Sequence, residues 1–112
     1  MAGISAESFL NRIKQVCANS VLVVRISTLS ESRHQVRLRI FLSDRTFITV
    51  YYNDENGKTA FAQIRDNQRI FGADNTHRQW HWHPREDPAD HVPAGSAITF
   101  EEFLEKVEKG LE

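Results

Sequence analysis

Trp80-His81-Trp82-His83 alternates indole and imidazole residue by residue. In an extended backbone, successive side chains point to opposite faces, so this run sets both tryptophans on one side and both imidazoles on the other. Two histidines at i, i+2 can act as a general acid and base, because imidazole exchanges its proton near neutral pH. They can also share one divalent metal ion, with His77, His91 or Asp74 as a third ligand. The plainer alternative is that the tryptophans complete a core while the histidines are exposed polar partners. Asp74-Asn75 follows Gly72 where a strand should end, and Asp74 there either caps a turn or orients an imidazole. The stretch from Phe71 to Pro93 gathers four of the five histidines, both tryptophans and all three prolines.

Other chemistries lack their residues. The chain has no His-Glu-x-x-His, Cys-x-x-Cys, glycine-rich phosphate loop or nucleophile elbow. Cys17 is the single cysteine, which excludes an internal disulfide and a Cys-based zinc ribbon. It falls on an apolar helical stripe and reads as a small buried hydrophobe. A net charge of -1 over 112 residues provides no global field for a polyanion, so any such site must be local. With 40% hydrophobic and 26% charged residues, residues 1–112 read as one globular domain. No basic region precedes a long apolar run, and the longest such run, Val21 to Val24, is far too short to cross a bilayer. A cytoplasmic protein without a membrane partner is the expectation.

The elements that must position the histidine segment follow from periodicity. Ser5 to about Ala18 predicts a helix capped by Ser5, with Phe9, Ile13, Val16 and Cys17 on its apolar stripe. Val21 to Ile26 predicts a strand, and Leu29 to Gln35 a turn. Val36, Leu38, Ile40 and Leu42 alternate with polar or exposed positions, giving a strand with one buried face. Ser43-Asp44-Arg45 then turns the chain into a partner strand, Thr46 to Tyr52. Asn53 to Gly57 is the strongest turn signal, since Asn-Gly tolerates positive φ. Lys58 to Arg65 returns, Asp66-Asn67 turns again, and Gln68 to Phe71 makes a last short strand. Arg37 and Arg39 share a face with Thr49 and Tyr51 opposite, as a solvated surface or a phosphate-binding patch. Thr99-Phe100-Glu101-Glu102 is a capping box for a final helix that buries Phe100, Phe103, Leu104, Val107 and Leu111. The predicted fold is α+β: an N-terminal helix, an antiparallel β-meander of four to five strands, an irregular His/Trp-rich segment and a C-terminal helix. One sheet face should pack on both helices.

Arg69-Ile70-Phe71-Gly72-Ala73-Asp74-Asn75, Trp80 to Pro84, Asp87-Pro88, His91, Pro93 and Thr99 to Leu104 together resemble the small TumE-type proteins, toxin components of type II toxin–antitoxin modules. The likeness runs from about Val36 to the C-terminus. The resemblance implies a cognate antitoxin partner. It frames the first functional expectation, a metal-independent ribonuclease. Metal-free RNA cleavage needs a base for the 2′-hydroxyl, an acid for the leaving oxygen and a cation for the phosphorane. His81 and His83 are the candidate acid and base, and Asp74 fixes a tautomer. Arg69, Arg78 and Arg85, with Asn75 of the Asp-Asn pair, are the candidate substrate-binding residues. Two alternatives stand beside this: a non-enzymatic domain that assembles with a partner or as a homodimer, and a histidine/carboxylate protein holding a divalent metal at His81 and His83.

Overall fold

The computed structural model describes residues 3–110. Seven strands form a single sheet in which each strand pairs antiparallel with the next one in the chain. They are β1 (Val23–Glu31), β2 (Gln35–Leu42), β3 (Phe47–Asn53), β4 (Thr59–Arg65), β5 (Gln68–Asp74), β6 (His81–His83) and β7 (Val92–Pro93). Helix α1 (Ala6–Ala18) precedes the sheet and α2 (Phe100–Lys109) follows it. Leu111, expected on the apolar stripe of the last helix, lies outside the described residues.

The α+β class and the meander are as expected, but the count of four to five strands is too low. The stretch expected to be irregular contributes β6 and β7. The physical cause is the length of β5, which continues past Phe71 to Asp74 and presents unpaired backbone groups to the returning chain. Those groups need partners, and His81–His83 supplies them. β1 also runs longer than expected, through Ser27, Thr28 and Ser30 to Glu31. It is an outer strand, so its polar residues face solvent while its backbone pairs with β2.

Both helices pack on one face of the sheet. α1 buries Ala6, Leu10, Ile13 and Cys17, so its inner face is centred one step round from the expected stripe, with Phe9 and Val16 at the margin. Phe9 instead stacks on Tyr52, ring centroids 4.2 Å apart. Val36, Leu38 and Ile40 of β2 and Ile48 and Val50 of β3 meet the helices, each essentially inaccessible. α2 buries Phe100, Phe103, Leu104 and Val107 in the same core. The Thr99 hydroxyl accepts from the Glu102 N–H at 3.1 Å, as a helix cap requires. Lys106 lies over the Trp82 ring at 5.1 Å, and Lys109 meets Glu105 at 2.9 Å. At the β4–β5 hairpin, Asp66 and Asn67 adopt φ of 51° and 65°, the two-residue turn that matches strand twist.

Candidate active site

The β5–β6 register builds the site. Gly72 pairs with His83, Ala73 with Trp82 and Asp74 with His81. Trp82 turns inward and stacks near Phe71 and Phe103, at 5.6 and 6.5 Å between centroids. Trp80 stacks on Phe61 at 6.0 Å. Asp74, His81 and His83 therefore emerge together on the helix-free face. The alternation separates indole from imidazole as expected, but the burial differs. His83 is 2% exposed, whereas both tryptophans are only half-buried. The chain between His83 and His91 folds back over the ring, and the Asp90 carbonyl accepts a hydrogen bond from Nδ1 of His83 at 3.0 Å.

One carboxylate holds the two imidazoles. Asp74 Oδ2 lies 2.8 Å from Nε2 of His83, and Oδ1 lies 3.0 Å from Nε2 of His81. Oδ1 also accepts the Thr76 N–H at 3.0 Å, so Asp74 caps a turn and orients imidazoles at once. His81 Nδ1 faces the Gln79 carbonyl at 3.0 Å. A carbonyl only accepts, so both Nδ1 atoms carry hydrogen. Each Nε2 then faces a carboxylate oxygen, an arrangement that a proton or a bound cation stabilises and bare lone pairs do not. The contact of His83 is in line. That of His81 is close but off-line, and its buried Nε2 has no hydrogen-bond partner among the described residues. Burial alone would raise the Asp74 carboxyl; the His83 hydrogen bond, the Thr76 N–H and hydroxyl and the His81 charge outweigh it and hold the group below its ordinary value.

His91 completes the cluster. Its ring centroid lies 4.8 Å from that of His81 and 4.7 Å from that of His83. It is exposed, and its ring nitrogens make no hydrogen bond among the described residues. Donor atoms of His81, His83 and His91 lie within 4.8 Å of one another, close enough to hold one cation. The sequence suggested His91 only as one of several third ligands. The available signal is the Asp87-Pro88 turn between His83 and His91, which returns the chain to β6. His77 stays in the exposed turn after β5, with φ of 59°.

Of the four candidate substrate-binding residues, Arg69 reaches the cluster. The β4–β5 register jumps between Gln63↔Phe71 and Ile64↔Arg69, so Ile70 is an extra residue in β5. That bulge turns Arg69 onto the Gly72 face. A Cβ placed at Gly72 would sit 3.1 Å from Arg69 Cδ and 3.6 Å from His83 Cδ2, which puts the two side chains next to each other. Arg69 donates from Nη2 to the Pro88 carbonyl at 2.8 Å. Arg85 goes to the helix side: its guanidinium lies 4.3 Å over Phe71 and donates to Gln63 Oε1 and to the Lys106 carbonyl, at 3.2 and 2.8 Å. Asn75 is a backbone clasp, accepting the Thr59 N–H at 2.9 Å and donating to the Gly57 carbonyl at 2.8 Å. Arg78 is exposed in the turn after β5, beside Asn75, Thr76 and Lys58 around a surface cleft.

Among the described residues, no helix is long and apolar enough to cross a membrane. No curated protein and no solved structure gave a significant match to the chain. The sequence profile of the family described as Toxin TumE matches residues 10–111, from the middle of α1 to beyond α2. That span takes in every strand and every member of the Asp74 cluster, and on it the chain belongs to the TumE toxin family.

Proposed function

We propose that this toxin cleaves RNA by histidine acid–base chemistry, and that a cognate antitoxin restrains it. The observation supporting this is the Asp74 carboxylate between two imidazole Nε2 atoms, with the unbonded His91 ring against both. His91, the most open of the three, takes the proton of the 2′-hydroxyl. The 2′-oxygen attacks phosphorus, the bond to the 5′-oxygen breaks, and His81, turning its buried Nε2–H from Asp74 toward the substrate, supplies the proton that the leaving oxygen needs. The products are a 2′,3′-cyclic phosphate and a free 5′-hydroxyl. His83 and Asp74 position the pair, since both ring nitrogens of His83 are already engaged. Arg69, beside His83, is the cation for the phosphorane charge.

The test uses the purified chain with end-labelled RNA in the presence of a chelator. Cleavage should fall by about 10²- to 10⁴-fold in His91→Ala and in His81→Ala, with the circular dichroism unchanged. Cleavage equal in parent and variants, or none by the parent, would overturn the reading.

A metal-dependent reading has its own support. The donor atoms of three histidines converge, and His81 and His83 each direct Nδ1 at a backbone carbonyl, the outer support common to metal-binding imidazoles. Elemental analysis of the purified protein decides between them. A stoichiometric transition metal, with cleavage lost to chelator and restored by that metal, favours the second.

A further inference from the structure

We infer that the helix-free face of the sheet is a track for single-stranded RNA, leading from an arginine–aromatic ladder on β1–β3 to the imidazole cluster on β6. The inference rests on the RNA-cleaving reading and adds where the strand lies. The registers of consecutive strands link into continuous rows. One runs Arg37, Tyr51, Ala60, Asp74, His81. The next runs Arg39, Thr49, Ala62, Gly72, His83. Each row starts at a cation, crosses small side chains on β4 and ends in the cluster. With strands about 4.8 Å apart, β2 to β6 spans roughly 19 Å. The small residues lower the middle of this face, with larger side chains at either end.

The far end is built for a polyanion with flat bases. Arg25 lies 4.2 Å over Phe41, Arg37 lies 4.5 Å over Tyr51 and Arg39 lies 4.5 Å over Phe47. Each contact sets a guanidinium against an aromatic ring, a pairing that suits an unstacked base and a phosphate. The outward register positions of β1 to β4 carry these three arginines and no carboxylate. Against a formal net charge of -1, this is a local concentration of positive charge. Arg39 Nε is buried without a hydrogen-bond partner among the described residues. A single strand fits better than a duplex, because an open sheet presents planes to splayed bases and no element that enters a groove.

The experiment measures fluorescence anisotropy of the whole protein with a fully 2′-O-methylated RNA strand, which cannot be cleaved, over a range of salt. A cleavage assay on ordinary RNA runs beside it. The parent should bind. R37A/R39A should weaken binding at least about tenfold and reduce the slope of log affinity against log salt by about 0.7 per arginine removed. R25A, an exposed change that spares half-buried Arg39, should lower the same slope by one such step. Binding by the parent without cleavage supports the track and overturns the ribonuclease reading. Cleavage with affinity and salt slope unchanged in R37A/R39A and R25A overturns the track alone. Loss of antitoxin binding in these variants, with RNA affinity unchanged, assigns the face to the protein partner and also overturns the track.

Discussion

Gly72 stands across from His83 in the β5–β6 pair, and its missing side chain is the space that Arg69 and His83 share. A Cβ there would lie 3.1 Å from both Arg69 Cδ and the Phe61 carbonyl oxygen. The arginine can move aside, whereas the Phe61 oxygen belongs to the β4 backbone and yields less. Gly72→Ala should therefore destabilise the fold by about 1 kcal/mol, the lower end for overpacking, and displace Arg69 from the cluster. Urea denaturation and the RNA cleavage rate check this together. Parent-like values of both would mean that the glycine is not what keeps the site open.

Gln63 should prove a structural anchor for Arg85, two residues beyond β6. It is 1% exposed, donates to the Thr46 hydroxyl at 3.1 Å and accepts from Arg85 at 3.2 Å. Gln63→Leu keeps the volume but leaves the half-buried Arg85 donor unpaired, at a cost of about 2 kcal/mol. Because the two residues share one contact, Gln63→Leu with Arg85→Ala should cost less than the sum of the single changes. Additive losses in a double-mutant cycle would show that the hydrogen bond contributes nothing.

The Asp74 carboxyl predicts an acid limb in the stability curve. Its folded pKa lies below the ordinary value: burial opposes the shift, and the His83, Thr76 and His81 interactions override burial. The unfolded chain then binds the proton more tightly, so the contribution of Asp74 is complete above the unfolded value of about 3.9 and is lost as pH falls through the lower folded value. Asp74→Asn should be less stable than the parent near neutrality, and the gap should narrow at acid pH. Chemical denaturation across that range tests it. Two curves that stay parallel to the lowest pH would contradict the assigned shift.

The helices and the first five strands were legible because their signals are local. A period of two in Val36 to Leu42, a capping box at Thr99 and an Asp66-Asn67 turn need no knowledge of the rest of the chain. The last two strands were not legible, since three residues of β6 and two of β7 carry too little pattern and exist because β5 offers an edge. The same limit applies to the site. The alternation of Trp80 to His83 sorted the side chains to the right faces, and the Asp74 turn brought its carboxylate back to them. Which arginine joins them depended on one bulge at Ile70, which moves Arg69 to the outer face while Arg85 goes to the inner one. His83 became a buried group through the loop over it, a contact made by the fold and absent from the local sequence.

His83 and His91 should separate structure from chemistry within one cluster. His83 is 2% exposed, and its ring bonds the Asp90 carbonyl at one nitrogen and Asp74 at the other. Truncating it removes both bonds, opens a cavity over Gly72 and strands the Asp74 carboxylate. His83→Ala should cost about 2–3 kcal/mol and reduce cleavage and toxicity with it. His91 is exposed and its ring makes no hydrogen bond among the described residues, so His91→Ala should leave the melting temperature within about 1–2 °C of the parent. Its cleavage rate should nevertheless fall on the order of 10²-fold or more, because the proton acceptor is gone while the scaffold remains. Melting curves and cleavage rates on the same preparations give both readouts. The converse pattern, a stable His83→Ala without activity beside an active His91→Ala, would return proton transfer to the buried imidazole and leave His91 as packing.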